Sequence, residues 1–323
     1  MNREKLEAAS EQGIINKEQV EALLSFFEAN VNAPDGNDAE VHFRFVRSFG
    51  DIFITLGIIF VAIAGAQIDM PTYFNMIPVL ILIAATEWLV RVRRLALPGI
   101  ALLISTLYFF DQLIGFEFYE PTLLKTIILT VVALLFYLRY KMPFTLLPIA
   151  AGCVAILSVT LGVDIKSDHY IFAIFGLLIF LTAMWFDSHD QDRQHRFSDA
   201  GFWLHLLAAP LVVHGVMISL LTSTSIPFME FMIILFFVVF FLIALYVDRR
   251  AILVSSLSYA IFAVINLAIN QKIDMENMTL VIFIAFGMFI VFFGVYWYKI
   301  RNMIFSKTNA MKLSNYVPPF VSK

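Results

Sequence analysis

The sequence predicts an all-α, polytopic helical membrane protein, and three observations support this prediction: the composition, the apolar segments and the placement of basic residues. Hydrophobic residues make up 60% of the 323 positions and charged residues only 15%. Soluble domains are about 45–50% apolar and about 25% charged. The surplus of apolar side chains therefore favours a chain whose natural solvent is lipid.

Ten apolar segments are long enough to cross a bilayer as helices, which takes about 20 residues each. Short connections separate them, apart from the polar stretch 187–199, DSHDQDRQHRFSD. They predict a domain of about ten transmembrane helices within residues 48–299. In chain order the segments are 49–68, 74–90, 96–115, 121–138, 143–163, 169–186, 200–220, 228–247, 251–270 and 278–298.

The basic residues indicate how these segments are oriented, because Lys and Arg are retained on the cytoplasmic side of a membrane. With the N-terminus inside, 19 of the 22 Lys and Arg residues lie in cytoplasmic pieces, and the exceptions are Lys125, Lys166 and Lys272. An added or missing helix would disturb this alternation. The sequence therefore predicts a multi-pass protein with both termini in the cytoplasm.

The ends of the chain are polar enough to lie outside the membrane. Residues 1–31 predict a helical hairpin whose two helices meet near Gly13, with Asn16 and Gln19 capping the second helix reciprocally. Two short helices bury little core alone, so we expect the hairpin to dock on the membrane domain or on a cytosolic or membrane protein partner. A linker follows at 32–47, and 300–323 predict a loosely attached cytosolic tail.

Composition and motifs exclude several function classes. The net charge of −3 and the lack of a basic, aromatic-rich block exclude nucleic acid as a partner. The sequence lacks GxSxG, HExxH, GxxxxGK[ST] and GxGxxG, so no catalytic residue and no cofactor is predicted. The single Cys153 excludes an intrachain disulfide. An intramembrane enzyme with a different motif stays open as a third alternative.

Polar residues recur on one face of several predicted helices, because positions 4, 7, 11 and 15 apart share a face at about 100° per residue. Polar side chains facing lipid are costly, so such faces favour the bundle interior or a watery path. The stripes belong to the first, fourth, seventh and ninth segments. The substrate-path residues they suggest are Asp51, Thr55, Asp199, Trp203, His214, Ser255, Tyr259, Asn266 and Asn270.

A second interpretation of these stripes is equally open from the sequence. Small and hydroxyl residues let helices approach closely and hydrogen-bond across the contact. The stripe of the fourth segment, which contains Thr126, Thr130 and Ala133, suits that role well. The stripes therefore predict either a shared polar interior or a set of helix–helix contacts.

Two histidines on the seventh segment differ in their helical phase. His205 and His214 are nine residues, or two and a half turns, apart, so they lie on opposite faces and do not share a metal ion. His205 shares its face with Gly201 and Ala208, which predicts a structural, hydrogen-bonding histidine in a close helix contact. His214 lies on the stripe face and is a candidate for proton handling.

The 187–199 loop is dense in carboxylates and imidazoles. The residues that carry the loop hypothesis are Asp187, Asp190, Arg193 and Arg196. Such groups can ligate metals when their geometry is fixed. Since a connecting loop offers no fixed geometry, we predict a hydrated loop without a metal.

Three stretches carry a resemblance to a protein family: EVHFRFVRSFGDIFITLGIIF, DSHDQDRQHRFSDAGFWLHLLAAPLVVH and YVDRRAILVSSLSY. They are similar to bacterial polytopic membrane proteins of the domain-of-unknown-function 2157 type, in patches from about residue 3 to 320. The resemblance implies the bacterial cytoplasmic (inner) membrane and no particular activity. It points to Asp187, Asp190, Arg193, Arg196, Asp199, Trp203, His205 and His214.

Two functions compete at this point. The first is a permease- or transporter-like protein for a small solute or ion, which uses the stripes. The second is a non-transport sensor or assembly protein, which acts through residues 1–31 and the 187–199 loop. A hydrated cavity along the stripes would favour the first, and dependence on the hairpin would favour the second. The oligomeric state is not predicted.

The predicted topology is testable with fused reporters. A reporter that is active only outside the cytoplasm should be active when fused after Lys166 and inactive when fused after Arg196, because the sixth segment separates them. Activity of both fusions, or of neither, would remove a predicted crossing.

Overall fold

The structure, a computed structural model, describes residues 6, 10, 12–31, 48–68, 71–114, 123–163, 168–191, 196–222, 229–270, 275–305 and 316–318. The chain falls into two units, Met1–Val41 and His42–Lys323. Throughout the described residues the regular elements are helical, and no strand is present there. The all-α prediction is therefore confirmed for this part of the chain.

The first unit contains helix α1, Lys17–Val31. The Asn16 backbone N–H donates to Gln19 Oε1 at 2.9 Å, and the Gln19 N–H donates to Asn16 Oδ1 at 2.8 Å. Gly13 lies before this cap with a φ of 71°. The predicted reciprocal cap and left-handed glycine are confirmed, whereas most of the predicted first helix lies outside the described residues.

The described residues of the second unit form ten further helices, which correspond in order to the ten predicted segments. The second of these is continuous with a 3₁₀ turn at Thr72–Asn75 and a π turn at Glu87–Val92. The helices are α2 (Phe49–Ala66), α3 (Met76–Thr86), α4 (Ala96–Ile114), α5 (Leu123–Tyr140), α6 (Leu146–Leu161), α7 (His169–Ser188), α8 (Arg196–Thr222), α9 (Met229–Val247), α10 (Arg250–Asn270) and α11 (Met275–Phe305).

Nine spans in the described part of the chain are long and apolar enough to cross a membrane. The remaining helix, α10, has a shorter apolar stretch, Arg250–Asn266. Large apolar side chains such as Phe53 and Phe60 of α2 or Phe283 and Val291 of α11 are exposed on the outside of the bundle. Nine apolar helices with such a surface indicate a membrane-embedded protein.

Three tight turns reverse the chain at one end of the bundle. Arg94, Lys141 and Asp248 each adopt a positive φ, of 57°, 49° and 59°. They follow the π turn after α3, the end of α5 and the end of α9. We call this side, where α3, α5, α7 and α9 end and α4, α6, α8 and α10 begin, the basic end.

The helices of the second unit pack around two central helices. Helix α4 contacts α2, α3 and α5, whereas α8 contacts α7, α10 and, less extensively, α9. Helix α6 packs against both α5 and α8, and the 3₁₀ turn Pro143–Thr145 touches both α4 and α8. The bundle thus consists of an α4 group and an α8 group joined by α6 and this turn.

Each group has its own apolar core. The core of the α4 group contains Val90, Leu103, Phe136 and Met142. The core of the α8 group is larger and is built from α8, α9, α10 and α11. Its buried members are Ala209, Val213, Met217, Ile233, Phe240, Ala244, Leu245, Ile252, Leu253, Ala263 and Trp297.

Helices α7 and α8 approach each other most closely at glycines. A Cβ atom on Gly215 would lie 2.5 Å from the backbone nitrogen of Ala173, and one on Gly176 would lie 2.7 Å from that of Val212. Backbone atoms cannot swing aside as a flexible side chain can. Small residues therefore fix the α7–α8 contact, as the small-residue face of the seventh segment predicted.

We expect Gly215→Ala to lower the free energy of unfolding by about 1–3 kcal/mol, because the added methyl group overpacks a backbone contact. Gly287→Ala is the matched control, since nothing lies within 4 Å of a Cβ at Gly287 of α11 and alanine favours a helix by about 1 kcal/mol. Thermal unfolding in detergent measures both. Equal stability of the two variants would show that α7 and α8 are not in close contact at Gly215.

Candidate functional site

A buried charge cluster joins three helices at the basic end. Its centre is Asp187, in the last turn of α7 and only 3% exposed. Its carboxylate accepts hydrogen bonds from His205 Nε2 at 3.0 Å and from Arg249 Nε at 3.0 Å, and Arg249 Nη2 donates to the other oxygen. A bidentate arginine–carboxylate pair is among the stronger and more directional hydrogen-bonded contacts in proteins.

The turn after α9 explains how Arg249 reaches this carboxylate. Asp248 takes the left-handed conformation, and the Arg249 N–H donates to the carbonyl of Ala244 at 2.9 Å. This pattern is a Schellman closure, which normally uses glycine and tolerates aspartate. Trp297 Nε1 donates to Asp248 Oδ1 at 2.6 Å, so α11 also supports the turn.

The small-residue face of α8 makes room for the carboxylate. A Cβ atom on Gly201 would lie 2.3 Å from Asp187 Oδ1. His205, one turn further along α8, is fully buried, and its ring packs against Phe180 with centroids 5.1 Å apart. The prediction of a structural, hydrogen-bonding His205 is confirmed, and its burial keeps it from contact with a solute.

The same cluster continues to the first turn of α8. Arg249 Nη2 also donates to the carbonyl of Ser198 at 3.2 Å, and the Ser198 N–H donates to Asp190 Oδ2 at 3.1 Å. A carboxylate at this position satisfies a backbone donor that lacks a helical partner. Asp190 therefore anchors the start of α8.

The prediction of a hydrated 187–199 loop is wrong for Asp187 and Asp190, which are both buried. The physical reason is that Asp187 lies in the last turn of α7, which extends to Ser188, and that Asp190 accepts a hydrogen bond from the first turn of α8, which begins at Arg196. Arg196 is half-buried as the first residue of α8. Arg193 lies outside the described residues.

A cavity of about 350 Å³ lies at the basic end between the α4 group and the α8 group. Trp203 lines it, and the Trp203 ring is edge-on to the rings of Phe144 and Phe202, with ring centroids 4.7 Å and 5.1 Å apart. The stripe of the seventh segment supplies part of the wall. The residues that line the cavity are Ala96, Ile100, Met142, Pro143, Phe144, Asp199, Phe202, Trp203 and Leu206.

The stripes of the seventh and ninth segments meet at one hydrogen bond. His214 Nδ1 lies 2.5 Å from the hydroxyl of Tyr259, and their rings are 5.2 Å apart. His214 is exposed on the bundle surface, whereas Tyr259 is half-buried. The pair lies about 12 Å beyond Leu206 along α8, at 1.5 Å per residue, and does not line the cavity.

The remaining stripe residues do not converge on this region. Asp51 is buried at the start of α2, where its carboxylate accepts from the Ser48 N–H at 3.3 Å and from the Ser48 hydroxyl at 3.1 Å. Thr55 donates to the Asp51 carbonyl at 2.6 Å. Both residues are thus satisfied within α2, and α2 packs against α4.

The stripe of α5 serves a helix–helix contact. Thr130 donates to the carbonyl of Thr126 at 2.7 Å, and a Cβ on Gly152 of α6 would lie 2.1 Å from Thr130 Oγ1. This is the second of the two sequence-based interpretations. On α10, Ser255 and Asn266 are half-buried, and the side chain of Asn270 lies outside the described part.

Two further ion pairs tie helices of the α4 group. At the basic end, Glu87 accepts from Arg139 at 2.8 Å and from Arg91 at 3.4 Å. At the opposite end, Lys125 lies 2.8 Å from Asp111, and both side chains are largely buried. Helix α5 is therefore linked by charge to the turn after α3 at the basic end and to α4 at the opposite end.

The chain end that the structure describes is attached to the basic end. Arg301 donates to the carbonyls of Leu245 at 3.0 Å, Tyr246 at 3.1 Å and Pro318 at 2.7 Å. Val317 is buried there. The prediction of a loose tail is therefore wrong for residues 316–318, because a buried arginine needs these acceptors.

Sequence reasoning missed Arg249, which is the partner of Asp187 in the buried charge cluster. In the sequence it was indistinguishable from the other basic residues that mark the cytoplasmic side. One signal was available: Asp187 lies at the end of an apolar segment, close in sequence to the small-residue face that carries Gly201 and His205. A carboxylate buried in such a contact needs a cation to balance its charge.

Searches with the chain against protein-family models, curated proteins and solved structures match nothing. The fold thus indicates only the class, an all-helical protein with nine described spans that are long and apolar enough to cross a membrane. The family resemblance of the three stretches stays a prediction.

We expect Asp187→Ala to lower the free energy of unfolding by about 3–5 kcal/mol, because it leaves the buried Arg249 without its counter-charge. Glu87→Ala is the control. Its partners Arg91 and Arg139 are 59% and 49% exposed, so water replaces the lost contact and the change should be much smaller. Tryptophan fluorescence during unfolding in detergent measures both variants, and equal losses would contradict a buried pair.

Proposed function

We propose that the protein is a permease-like membrane protein for a small solute, and that the solute binds in the cavity between the α4 group and the α8 group. The observation that carries the proposal is the position of the cavity. Solute sites in helical transporters lie where two groups of helices meet, so that a movement of one group opens the site to either side.

The size and wall of the cavity support this function. About 350 Å³ falls within the range of about 300–1,000 Å³ that small-molecule sites occupy. Its two walls come from helices with separate cores, α4 on one side and α8 on the other. A site between separate cores can open without unpacking either core.

Helix α8 has features that suit a moving wall. Pro210 lies inside α8, one turn beyond Leu206, and proline cannot donate the helical hydrogen bond to the carbonyl four residues earlier. The start of α8 is held by Asp190 and Arg249. We therefore propose that α8 is fixed at its basic end and weakened in its middle.

The proposal assigns the handling of a proton to His214, because an imidazole ring can both donate and accept a proton, and its Nδ1 lies 2.5 Å from the hydroxyl of Tyr259. The proposal also places the basic end in the cytoplasm of a bacterium, with the chain in the cytoplasmic membrane.

The sensor or assembly alternative loses support from the loop, because Asp187 and Asp190 are buried and engaged inside the protein.

The test begins with purified protein and a library of amino acids, amines, organic acids, sugars and nucleosides. A bound solute raises the temperature of unfolding. We expect at least one such solute, and we expect Leu206→Trp and Ile100→Trp, which fill the cavity from opposite walls, to abolish its effect. Proteoliposomes with the original chain should take up that solute, and those with either variant should not.

Leu134→Trp provides the matched control, since Leu134 of α5 is 42% exposed, Leu206 is 39% exposed, and only Leu206 lines the cavity. Uptake should survive Leu134→Trp. A library without any stabilising solute, or a solute whose binding survives both cavity-filling variants, would overturn the proposal.

A further inference from the structure

The lining of the cavity carries charge of one sign. Among the nine described residues that line it, Asp199 is the one with an ionisable side chain, and the other eight are apolar or aromatic. On the basis of the proposed function, we propose that the solute is a small organic cation: an ammonium group that carries alkyl or aryl substituents.

The aromatic residues form a wall of the kind that organic ammonium ions bind. Trp203 meets Phe144 with ring planes at 82° and Phe202 with planes at 78°, so the three rings present π-faces in different directions. A cation within about 6 Å of a ring centroid is attracted by the ring quadrupole, most strongly at tryptophan. The alkyl groups of the same ion pack against the aliphatic wall.

The carboxylate supplies the counter-charge that a buried cation needs. Asp199 lies in the first turn of α8 and is half-buried. A carboxylate has about four acceptor sites, so it can accept from the protein and still pair with a ligand. Because transfer of a lone charge into an apolar site is costly, a solute of opposite sign to Asp199 is favoured.

Other solute classes fit this wall less well. An anion would bring like charge towards Asp199 in apolar surroundings. A sugar needs several hydrogen-bonding partners, which eight apolar or aromatic side chains do not provide. Lys141 precedes the wall residue Met142 in the sequence but does not itself line the cavity, so the charge that a solute meets in the lining is the carboxylate.

Three probes that share a benzyl group test the sign of the charge, and the first two also have the same shape. Benzyltrimethylammonium is the cation, neopentylbenzene is its neutral carbon analogue, and phenylacetate is the anion. Their binding to the full chain is measured by thermal shift, with Leu206→Trp as the background for partition into detergent. We expect the cation to bind at least 10-fold more tightly than either of the others.

Variants of the wall then assign this preference to residues. Asp199→Asn should weaken the binding of the cation at least 10-fold and leave the binding of neopentylbenzene unchanged. Trp203→Phe should keep part of the preference for the cation over neopentylbenzene because phenylalanine keeps an aromatic ring. Trp203→Leu should lose this preference. Glu87→Gln is the control, since it removes a carboxylate at the same end of the bundle without changing the lining.

The outcomes separate this inference from the proposed function. The proposal of a cationic solute is overturned if neopentylbenzene or phenylacetate binds as tightly as the cation, or if Asp199→Asn leaves the binding of the cation unchanged. In either case a site that depends on Leu206 still stands. If a solute from the library binds through Leu206 and no probe does, the cation class is likewise overturned. If no ligand depends on Leu206, the proposed function itself is overturned.

Discussion

The pairing of Asp187 with Arg249 is the constraint on which the basic end of the bundle depends. Burial of either charge alone would cost several kcal/mol, so the end of α7 and the turn before α10 must lie together. His205 and the backbone of Ser198 complete the same cluster. Together with the close packing at Gly176 and Gly215, these contacts set the register of α8 against α7.

That register determines where the cavity lies. Asp199 and Trp203 follow Ser198 by one and five residues on α8, so the cluster that holds Ser198 also positions both side chains. They face a wall from a different helix group, which is held by Glu87 and Arg139 at the same end. Each wall of the cavity is therefore supported by contacts within its own group of helices.

Sequence reasoning was sufficient for features that depend on local periodicity, and insufficient for those that depend on which helices are neighbours. The reciprocal cap at Asn16 and the structural role of His205 follow from spacing along one helix. Helical phase shows which residues share a face but not what that face contacts. For this reason Thr130 belongs to a helix contact, Asp51 to a cap, and only Asp199 and Trp203 to the cavity.

The most direct test of the account measures whether the cavity admits a charged solute. In a chain with Cys153→Ser, Leu206→Cys lies in the cavity wall, whereas Ala209→Cys lies in the buried core of the α8 group. If the cavity admits a cation, a cationic thiosulfonate reagent should modify Leu206→Cys much faster than Ala209→Cys, and faster than an anionic reagent of similar size does. Equal, slow modification at the two positions would contradict a solute site between the two groups of helices.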